Sequence, residues 1–166
     1  MKIGIVGVGI VGTANYKGFS DLKHEIIAHD IKFDTTIKDV IDTEIVFICV
    51  PTPSMENGSC DTTIVKDVIT ELDNLDFQGI IAVRSSTVPG FTKSMLQLYP
   101  KRSICFVPEF IRERCSINDF INDHQMLAIG TTDVHVFDKV KEAHGHYPKN
   151  VIQLTPTEAE ILKYYL

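Results

Sequence analysis

The sequence has 166 residues, which is enough for one domain with a hydrophobic core and too few for two domains of ordinary size. Hydrophobic residues make up 44% of it, yet no apolar run reaches the roughly 18 residues of a membrane-spanning segment, so we expect no membrane insertion. The net charge of -6 argues against a general nucleic-acid binder, whose phosphate contacts need a basic face, and a small-molecule ligand is the better expectation.

The cysteines and the N-terminus indicate an intracellular setting. Cys49, Cys60, Cys105 and Cys115 are far apart and form no C-x-x-C pair, which favours reduced thiols over disulfides or a zinc site. The N-terminus becomes glycine-rich where a signal peptide would have its apolar stretch. We therefore expect a cytoplasmic protein that binds no metal.

Short apolar, β-branched runs alternate with segments of helical spacing along the chain. The seven runs are residues 2–7, 25–29, 44–50, 79–85, 103–108, 126–130 and 151–154. Residues 62–75 and 133–145 place apolar side chains at helical spacing, and the second segment ends at a glycine that suits a helix stop. This alternation predicts βαβ units, and hence an α/β fold of the doubly wound, Rossmann type, with a mostly parallel sheet and helices on both faces.

The first run leads into "GVGIVG", which places Gly7, Gly9 and Gly12 between a strand and a predicted helix. The first glycine permits a tight turn, the second lets a pyrophosphate approach the backbone, and the third lets the helix pack closely. Asp30 ends the second run, where an acid accepts hydrogen bonds from the ribose hydroxyls of adenosine. Because this carboxylate would repel a ribose phosphate, the pattern favours NAD over NADP, although Lys32 leaves NADP open. The alternative is a plain strand-to-helix turn.

Polar loops follow the third and fourth runs, at the end of a parallel sheet where ligands bind. Residues 51–61 contain two prolines and an Asn-Gly pair, so they form a loop, in which Thr52 offers a hydroxyl or is simply part of a rigid turn. The stretch "SSTVPG" (85–90) has three consecutive hydroxyls, more than a helix cap needs, although a cap remains the alternative for Thr87.

Four segments resemble those of the UDP-glucose/GDP-mannose dehydrogenase family, whose members use two NAD to oxidise the terminal alcohol of a nucleotide sugar to a carboxylate. They are "CVPTP" (49–53), "SSTVPG" (85–90), "VPEFIRERCSINDF" (107–120) and "TEAEILKYYL" (157–166), and they occur in the family's order. The resemblance implies an NAD-dependent oxidoreductase of polysaccharide biosynthesis. Phe110 favours a UDP-glucose-like or GDP-mannose-like substrate over N-acetylated sugars, and Arg114 departs from a common glycine.

The resemblance also implies residue roles. Thr87 lies beside the nicotinamide and holds a water or the substrate hydroxyl, Glu109 is the general base or a water-orienting acid, and Lys163 stabilises a developing oxyanion. Glu113 is a cofactor-side contact; if its segment is helical, the spacing of four puts it on one face with Glu109, while solvated surface charges are the alternative. The expected NAD-binding residues are Gly7, Gly9, Ile10, Val11, Gly12, Asp30, Val50, Pro51, Thr52, Ser86, Thr87 and Glu113.

In this family the second oxidation passes through a thioester on a cysteine of a later, substrate-binding domain. None of the four cysteines stands in the family's glycine-cysteine-x-x-lysine-aspartate setting. We therefore expect residues 1–155 to form the NAD-binding domain and 156–166 to begin the central connecting helix, with a homodimer for the complete enzyme and no complete reaction by this chain alone. A terminal helix docked on its own sheet, with Lys163 in water, is the alternative.

Two other functions remain open at this point. One is a stand-alone NAD-binding module, or a half-enzyme that pairs with a separately encoded second half. The other is a 6-phosphogluconate-like or hydroxyacid dehydrogenase, which shares the glycine motif but has different segments after the fourth and fifth strands.

Overall fold

All seven predicted strands form, and they build one sheet in the computed structural model, which describes residues 1–166. The strands are β1 (Lys2–Val6), β2 (Glu25–His29), β3 (Ile45–Ile48), β4 (Ile80–Val83), β5 (Ser103–Phe106), β6 (Met126–Gly130) and β7 (Asn150–Leu154). The helices are α1 (Ile10–Asp21), α2 (Thr63–Asn74), α3 (Phe91–Leu98), α4 (Ser116–Ile121), α5 (Val134–His144) and α6 (Pro156–Tyr165). Several strands end earlier than predicted because the last residues of their runs leave the sheet as loops.

The strand order is β2-β1-β3-β4-β5-β6-β7. The first five strands are parallel, β6 is antiparallel to β5, and β7 is parallel to β6. This confirms the predicted doubly wound, mostly parallel sheet. The chain moves outward in one direction from β1 to β2 and in the other from β3 onward, so a crevice opens at the carboxyl ends of β1 and β3, where such sheets bind ligands.

Both faces of the sheet are buried, since side chains alternate between two apolar cores. In β3, Ile45 and Phe47 pack with residues of α1, α4 and α5, while Val46 and Ile48 pack with residues of α2 and α3. The continuous apolar runs in the sequence reflect this two-sided burial.

Two helix ends show how local sequence sets the boundaries. Helix α5 stops at Gly145, whose φ of 55° is a left-handed value that glycine adopts readily. Helix α6 begins with a capping box, in which the Thr155 hydroxyl and the Glu158 carboxylate each bond the other's backbone N–H. No helix is both long enough and apolar enough to cross a membrane.

Candidate functional site

A cavity of about 450 Å³ lies at the carboxyl ends of the parallel strands. Residues that follow β1 to β5 form its wall, together with one residue of α6. Among the residues predicted from the sequence, those lining it are Gly7, Gly9, Ile10, Val11, Asp30, Val50, Pro51, Thr52, Ser86, Glu109 and Lys163. The fold therefore brings most of the predicted site together.

The glycine turn between β1 and α1 forms a backbone cradle at this cavity. Gly7 has a φ of 91°, and a β-carbon on Gly12 would lie 1.9 Å from the Gly7 carbonyl oxygen, so both positions require glycine. A β-carbon on Gly9 would meet no atom within 4 Å, which leaves the turn open to a ligand. Helix α1 has no side-chain cap and no acid in its first turn, so its terminal N–H groups are free to bind an anion.

Asp30 is fixed by the backbone at the end of β2. Its Oδ2 accepts the Val8 N–H at 2.7 Å and its Oδ1 accepts the Lys32 N–H at 3.0 Å. These two bonds hold the pKa of the carboxyl below its usual value, so Asp30 is ionised at neutral pH. Each oxygen keeps a lone pair for a further donor, as binding of two ribose hydroxyls requires.

A second cavity, of about 530 Å³, shares the Asp30 wall with the first. Its lining includes the apolar side chains of Ile37, Ile64 and Val68, with Asp67 and Glu71 among its acidic groups. An apolar slot beside the Asp30 carboxylate fits a planar heteroaromatic ring. The two cavities together thus fit a dinucleotide that extends across the ends of β1 and β3.

Glu109 and Lys163 meet in the wall of the first cavity. Glu109 is buried, and its Oε2 lies 2.6 Å from Nη1 of the buried Arg84. Lys163 donates a hydrogen bond from Nζ to the Glu109 carbonyl oxygen, so it does not extend into water. Burial lowers the pKa of Lys163, which the neighbouring Glu109 carboxylate partly offsets.

Thr87 is fully buried but does not line the cavity. Its hydroxyl lies 3.4 Å from Oε1 of Glu160, and its carbonyl accepts the hydroxyl of Tyr164 at 2.8 Å. It is not a helix cap, because Gly90 precedes α3 and the Glu160 carboxylate accepts the Gly90 and Thr92 N–H groups instead. The capping alternative for Thr87 is therefore wrong, and its catalytic role stays a prediction.

The expectation that Glu109 and Glu113 share a helical face is wrong. Residues 107–112 are not helical, since Pro108 offers no N–H and favours an extended residue before it, and the Arg112 N–H bonds to the Asp119 carboxylate. Glu113 opens a short 3-10 turn (Glu113–Cys115), is exposed and lies outside both cavity walls. Its proposed contact with a cofactor stays a prediction without support from this geometry.

The cysteines differ in their surroundings. Cys105 lies in the core, and Cys49, just past the end of β3, lines the cavity. Burial raises the pKa of each of these two thiols to about 12, so neither is a reactive thiolate at neutral pH. Cys60 lies 3.7 Å from the Tyr164 hydroxyl, and Cys115 lies in the 3-10 turn.

The residues predicted for the site leave out the cavity-lining Ile31, Lys32, Cys49, Arg84 and Ser85, and the buried His144 and Glu160, which bond Arg84 and Thr87. Arg84 and His144 are 60 residues apart and meet only in the folded chain. Glu160 belongs to the "TEAE" segment, whose resemblance to the family is the one signal that would have pointed to it.

A family model described as the NAD binding domain of the UDP-glucose/GDP-mannose dehydrogenase family matches residues 28–147. Among the curated relatives, two dehydrogenases align with 99% of the chain. UDP-glucose 6-dehydrogenase AglM of Haloferax volcanii is 25% identical, with 50% of its length covered, and GDP-mannose 6-dehydrogenase of Pseudomonas aeruginosa is 27% identical, with 48% covered. The chain thus spans about half the length of these relatives.

Solved structures agree with this match. A UDP-glucose dehydrogenase from Pyrobaculum islandicum superposes with a TM-score of 0.88 at 20% identity, over 99% of this chain and 48% of that one, which shows a common fold. GDP-mannose dehydrogenase from Pseudomonas aeruginosa, in a ternary complex, gives a TM-score of 0.83 at 25% identity, over 99% of this chain and 49% of that one.

Proposed function

The chain belongs to the UDP-glucose/GDP-mannose dehydrogenase family and matches its NAD-binding domain, and from this premise we propose that it is the NAD-binding part of a nucleotide-sugar 6-dehydrogenase. The complete enzyme oxidises the primary alcohol of a UDP-glucose-like or GDP-mannose-like sugar to a carboxylate. Residues 1–155 are the NAD-binding domain, and residues 156–166 begin the helix that connects it to a substrate domain.

In this proposal NAD spans the two cavities. The N–H groups at the start of α1 and the open backbone at Gly9 receive the pyrophosphate, and Asp30 receives the hydroxyls of the adenosine ribose. The adenine ring enters the slot lined by Ile37, Ile64 and Val68. The nicotinamide end then faces Glu109 and Lys163, where bound NAD supplies a hydride acceptor.

At the nicotinamide end, side chains of the protein stabilise charge and bind water. The Lys163 ammonium stabilises negative charge on the substrate oxygen, and its lowered pKa makes it a readier proton donor than an exposed lysine. Glu109 accepts a hydrogen bond from a water or hydroxyl at the cavity wall. Thr87 is the candidate for holding a water or the substrate hydroxyl, and its present hydroxyl bond to Glu160 is a long one of 3.4 Å.

The observation that supports this proposal most strongly is the joint position of Asp30 and the Glu109–Lys163 pair. They line one cavity, and in the strand order β1, which leads into the uncapped start of α1, lies between β2, which Asp30 follows, and β5, which Glu109 follows. A dinucleotide dehydrogenase site has three such parts in this order: an acid that binds the ribose, a helix end that binds the pyrophosphate anion, and an acid–lysine pair. A glycine turn with only a structural role would not explain why the acid, the helix end and the acid–lysine pair all face one crevice.

The substrate domain and the subunit contacts belong to the same proposal. Helix α6 exposes Ile161, Tyr165 and Leu166, with exposed fractions of 41%, 82% and 74%, and these apolar groups would pack in the homodimer of the complete enzyme. The reduced thiols of the four cysteines support a cytoplasmic location. We expect residues 1–166 alone to bind NAD without forming a sugar acid, because the one thiol that lines the cavity, Cys49, is poorly ionised.

The proposal is tested with the purified chain by calorimetric titration with NAD and NADP, followed by incubation with NAD and UDP-glucose or GDP-mannose. We expect saturable binding of NAD that is tighter than that of NADP, and no sugar acid. An absence of NAD binding would refute the cofactor site. Detectable sugar acid would refute the assignment of the covalent step to another part of the enzyme.

A further inference from the structure

Arg84 is a buried cation held between two residues that are remote in sequence. It follows β4, is 3% exposed, and its Nη1 lies 2.6 Å from Glu109 Oε2. Its Nη2 donates to Nε2 of His144, the last residue of α5. One planar guanidinium thus joins the cavity wall to a helix on the face of the sheet.

His144 acts as an acceptor in this arrangement. Its Nδ1 lies 2.7 Å from the Val140 carbonyl oxygen, which can only accept, so the ring proton is on Nδ1 and Nε2 is free to accept a hydrogen bond from Arg84. Burial and the nearby Arg84 charge lower the pKa of His144 well below 6.5, so the ring is neutral. The neutral ring carries no charge that could balance the guanidinium. Glu109 is the only anion in contact with it.

The surroundings of Arg84 make that ion pair obligatory. The guanidinium carbon lies 5.0 Å from the Phe47 ring centre and 5.7 Å from that of Phe120, and Nε has no hydrogen-bond partner. The rings offset part of the cost of burying the cation. Neutralising Glu109 would leave the charge uncompensated in this apolar shell, which is strongly unfavourable.

We infer that Arg84 and His144 form a clamp that holds the Glu109 carboxylate in place as a hydrogen-bond acceptor on the cavity wall. Arg84 is then a positioning residue for Glu109, and His144 is a positioning residue for Arg84. The clamp distinguishes between the two roles that the sequence left open for Glu109. It orients a water or hydroxyl and does not store the proton, because storing the proton would break the Arg84 pair.

The other charged or titratable groups around Glu109 do not replace Arg84. Lys163 bonds the Glu109 carbonyl and not its carboxylate, and His124 and Cys49 affect it only through space. The one further donor to its carboxylate is the Phe110 N–H, 3.3 Å from Oε1. The guanidinium is therefore the only cation in direct contact with the Glu109 carboxylate, through Oε2.

The test uses the full chain labelled with ¹³C at glutamate carboxyl carbons and ¹⁵N at histidine, with the Glu109 signal assigned by its loss in Glu109→Gln. Arg84→Met removes the charge and both contacts, while Arg84→Lys keeps a charge but loses the planar fork. Arg102→Met is the matched control, because Arg102 is another largely buried arginine, paired with Asp73 and Asp76 away from Glu109. Spectra are recorded between about pH 5 and 8.

In the unsubstituted chain and in Arg102→Met, we expect the Glu109 carboxyl carbon to keep the shift of an ionised group across this range. In Arg84→Met the Glu109 carboxyl signal should move to the chemical shift of a protonated acid towards the lower end of the pH range. In Arg84→Lys this signal should return to the shift of an ionised group, while the His144 Nε2 signal should still differ from that of the unsubstituted chain. A Glu109 signal in Arg84→Met that matches the unsubstituted chain overturns the inference. If Arg84→Met does not fold, an unchanged His144 signal in Arg84→Lys overturns it.

This inference deepens the proposed role of Glu109 and rests on it, but the two fail separately. Loss of the proposed function appears as an absence of NAD binding in the unsubstituted chain. Loss of the clamp appears in the carboxyl and imidazole signals, which need no cofactor.

Discussion

Glu160 of α6 accepts both the backbone N–H and the hydroxyl of Thr92, at 2.8 Å and 2.6 Å, so the last helix of the chain caps the start of α3. The Gly90 N–H bonds the same carboxylate at 2.6 Å. Glu160 is fully buried, and these donors compensate its charge. The capping carboxylate is therefore supplied from a helix 68 residues away along the chain.

Replacing Glu160 by Gln should destabilise the chain by about 2–4 kcal/mol, because an amide accepts the N–H groups less strongly and brings two buried donors of its own. Glu158→Gln is the matched control, since Glu158 caps α6 at an exposed position, and it should cost clearly less than Glu160→Gln. Urea unfolding measures both. Equal losses in the two variants would contradict the buried-cap description.

Substitutions at two glycines of the turn should have different effects on NAD affinity and on the free energy of unfolding. Gly9→Ala places a methyl group in open space, so NAD affinity should fall at least about tenfold while the free energy of unfolding changes by less than about 1 kcal/mol. Gly12→Ala forces a contact with the Gly7 carbonyl and should cost about 2 kcal/mol or more. Calorimetric titration and urea unfolding of both variants check this, and a Gly9→Ala variant with unaltered NAD affinity would contradict the proposed pyrophosphate position.

Asp30→Asn should weaken NAD binding about tenfold and reduce the preference for NAD over NADP, because the amide removes the charge and one acceptor. Asp34→Asn, at an exposed acid nearby, is the control and should leave both affinities unchanged. The measurement is a parallel titration with the two dinucleotides. An Asp30→Asn variant that still prefers NAD as strongly as the unsubstituted chain would exclude Asp30 as the ribose contact.

The free energy of unfolding should fall as the pH decreases from about 7 to 5. Burial lowers the pKa of His24, His124 and His144 below the ordinary value of 6.5, so the unfolded chain takes up protons in this range that the folded chain does not. For each of the buried His124 and His144, the slope is at most about 1.4 kcal/mol per pH unit. Urea unfolding as a function of pH should show a smaller slope for His124→Gln and an unaltered slope for His135→Gln, where the histidine is exposed.

Much of the fold followed from local patterns in the sequence. Two-sided burial makes a parallel strand a continuous apolar run, so all seven strands could be placed, and the turn at Gly7 and Gly12 required glycine for steric reasons that the motif already implied. Residues lining the cavity could be named because the carboxyl ends of parallel strands meet at one edge.

The errors and omissions concern segments whose conformation depends on distant partners. A spacing of four between Glu109 and Glu113 indicates a shared face only in a helix, and Pro108 together with the Arg112–Asp119 bond keeps that segment extended. Contacts such as Arg84 with His144 join residues that no local pattern relates.

The most direct test of the account is a crystal structure of the chain with NAD. We predict the adenosine ribose hydroxyls within hydrogen-bonding distance of the Asp30 carboxylate, the pyrophosphate at the start of α1 and the nicotinamide beside Glu109 and Lys163. A cofactor bound elsewhere, or bound with its ribose away from Asp30, would contradict it.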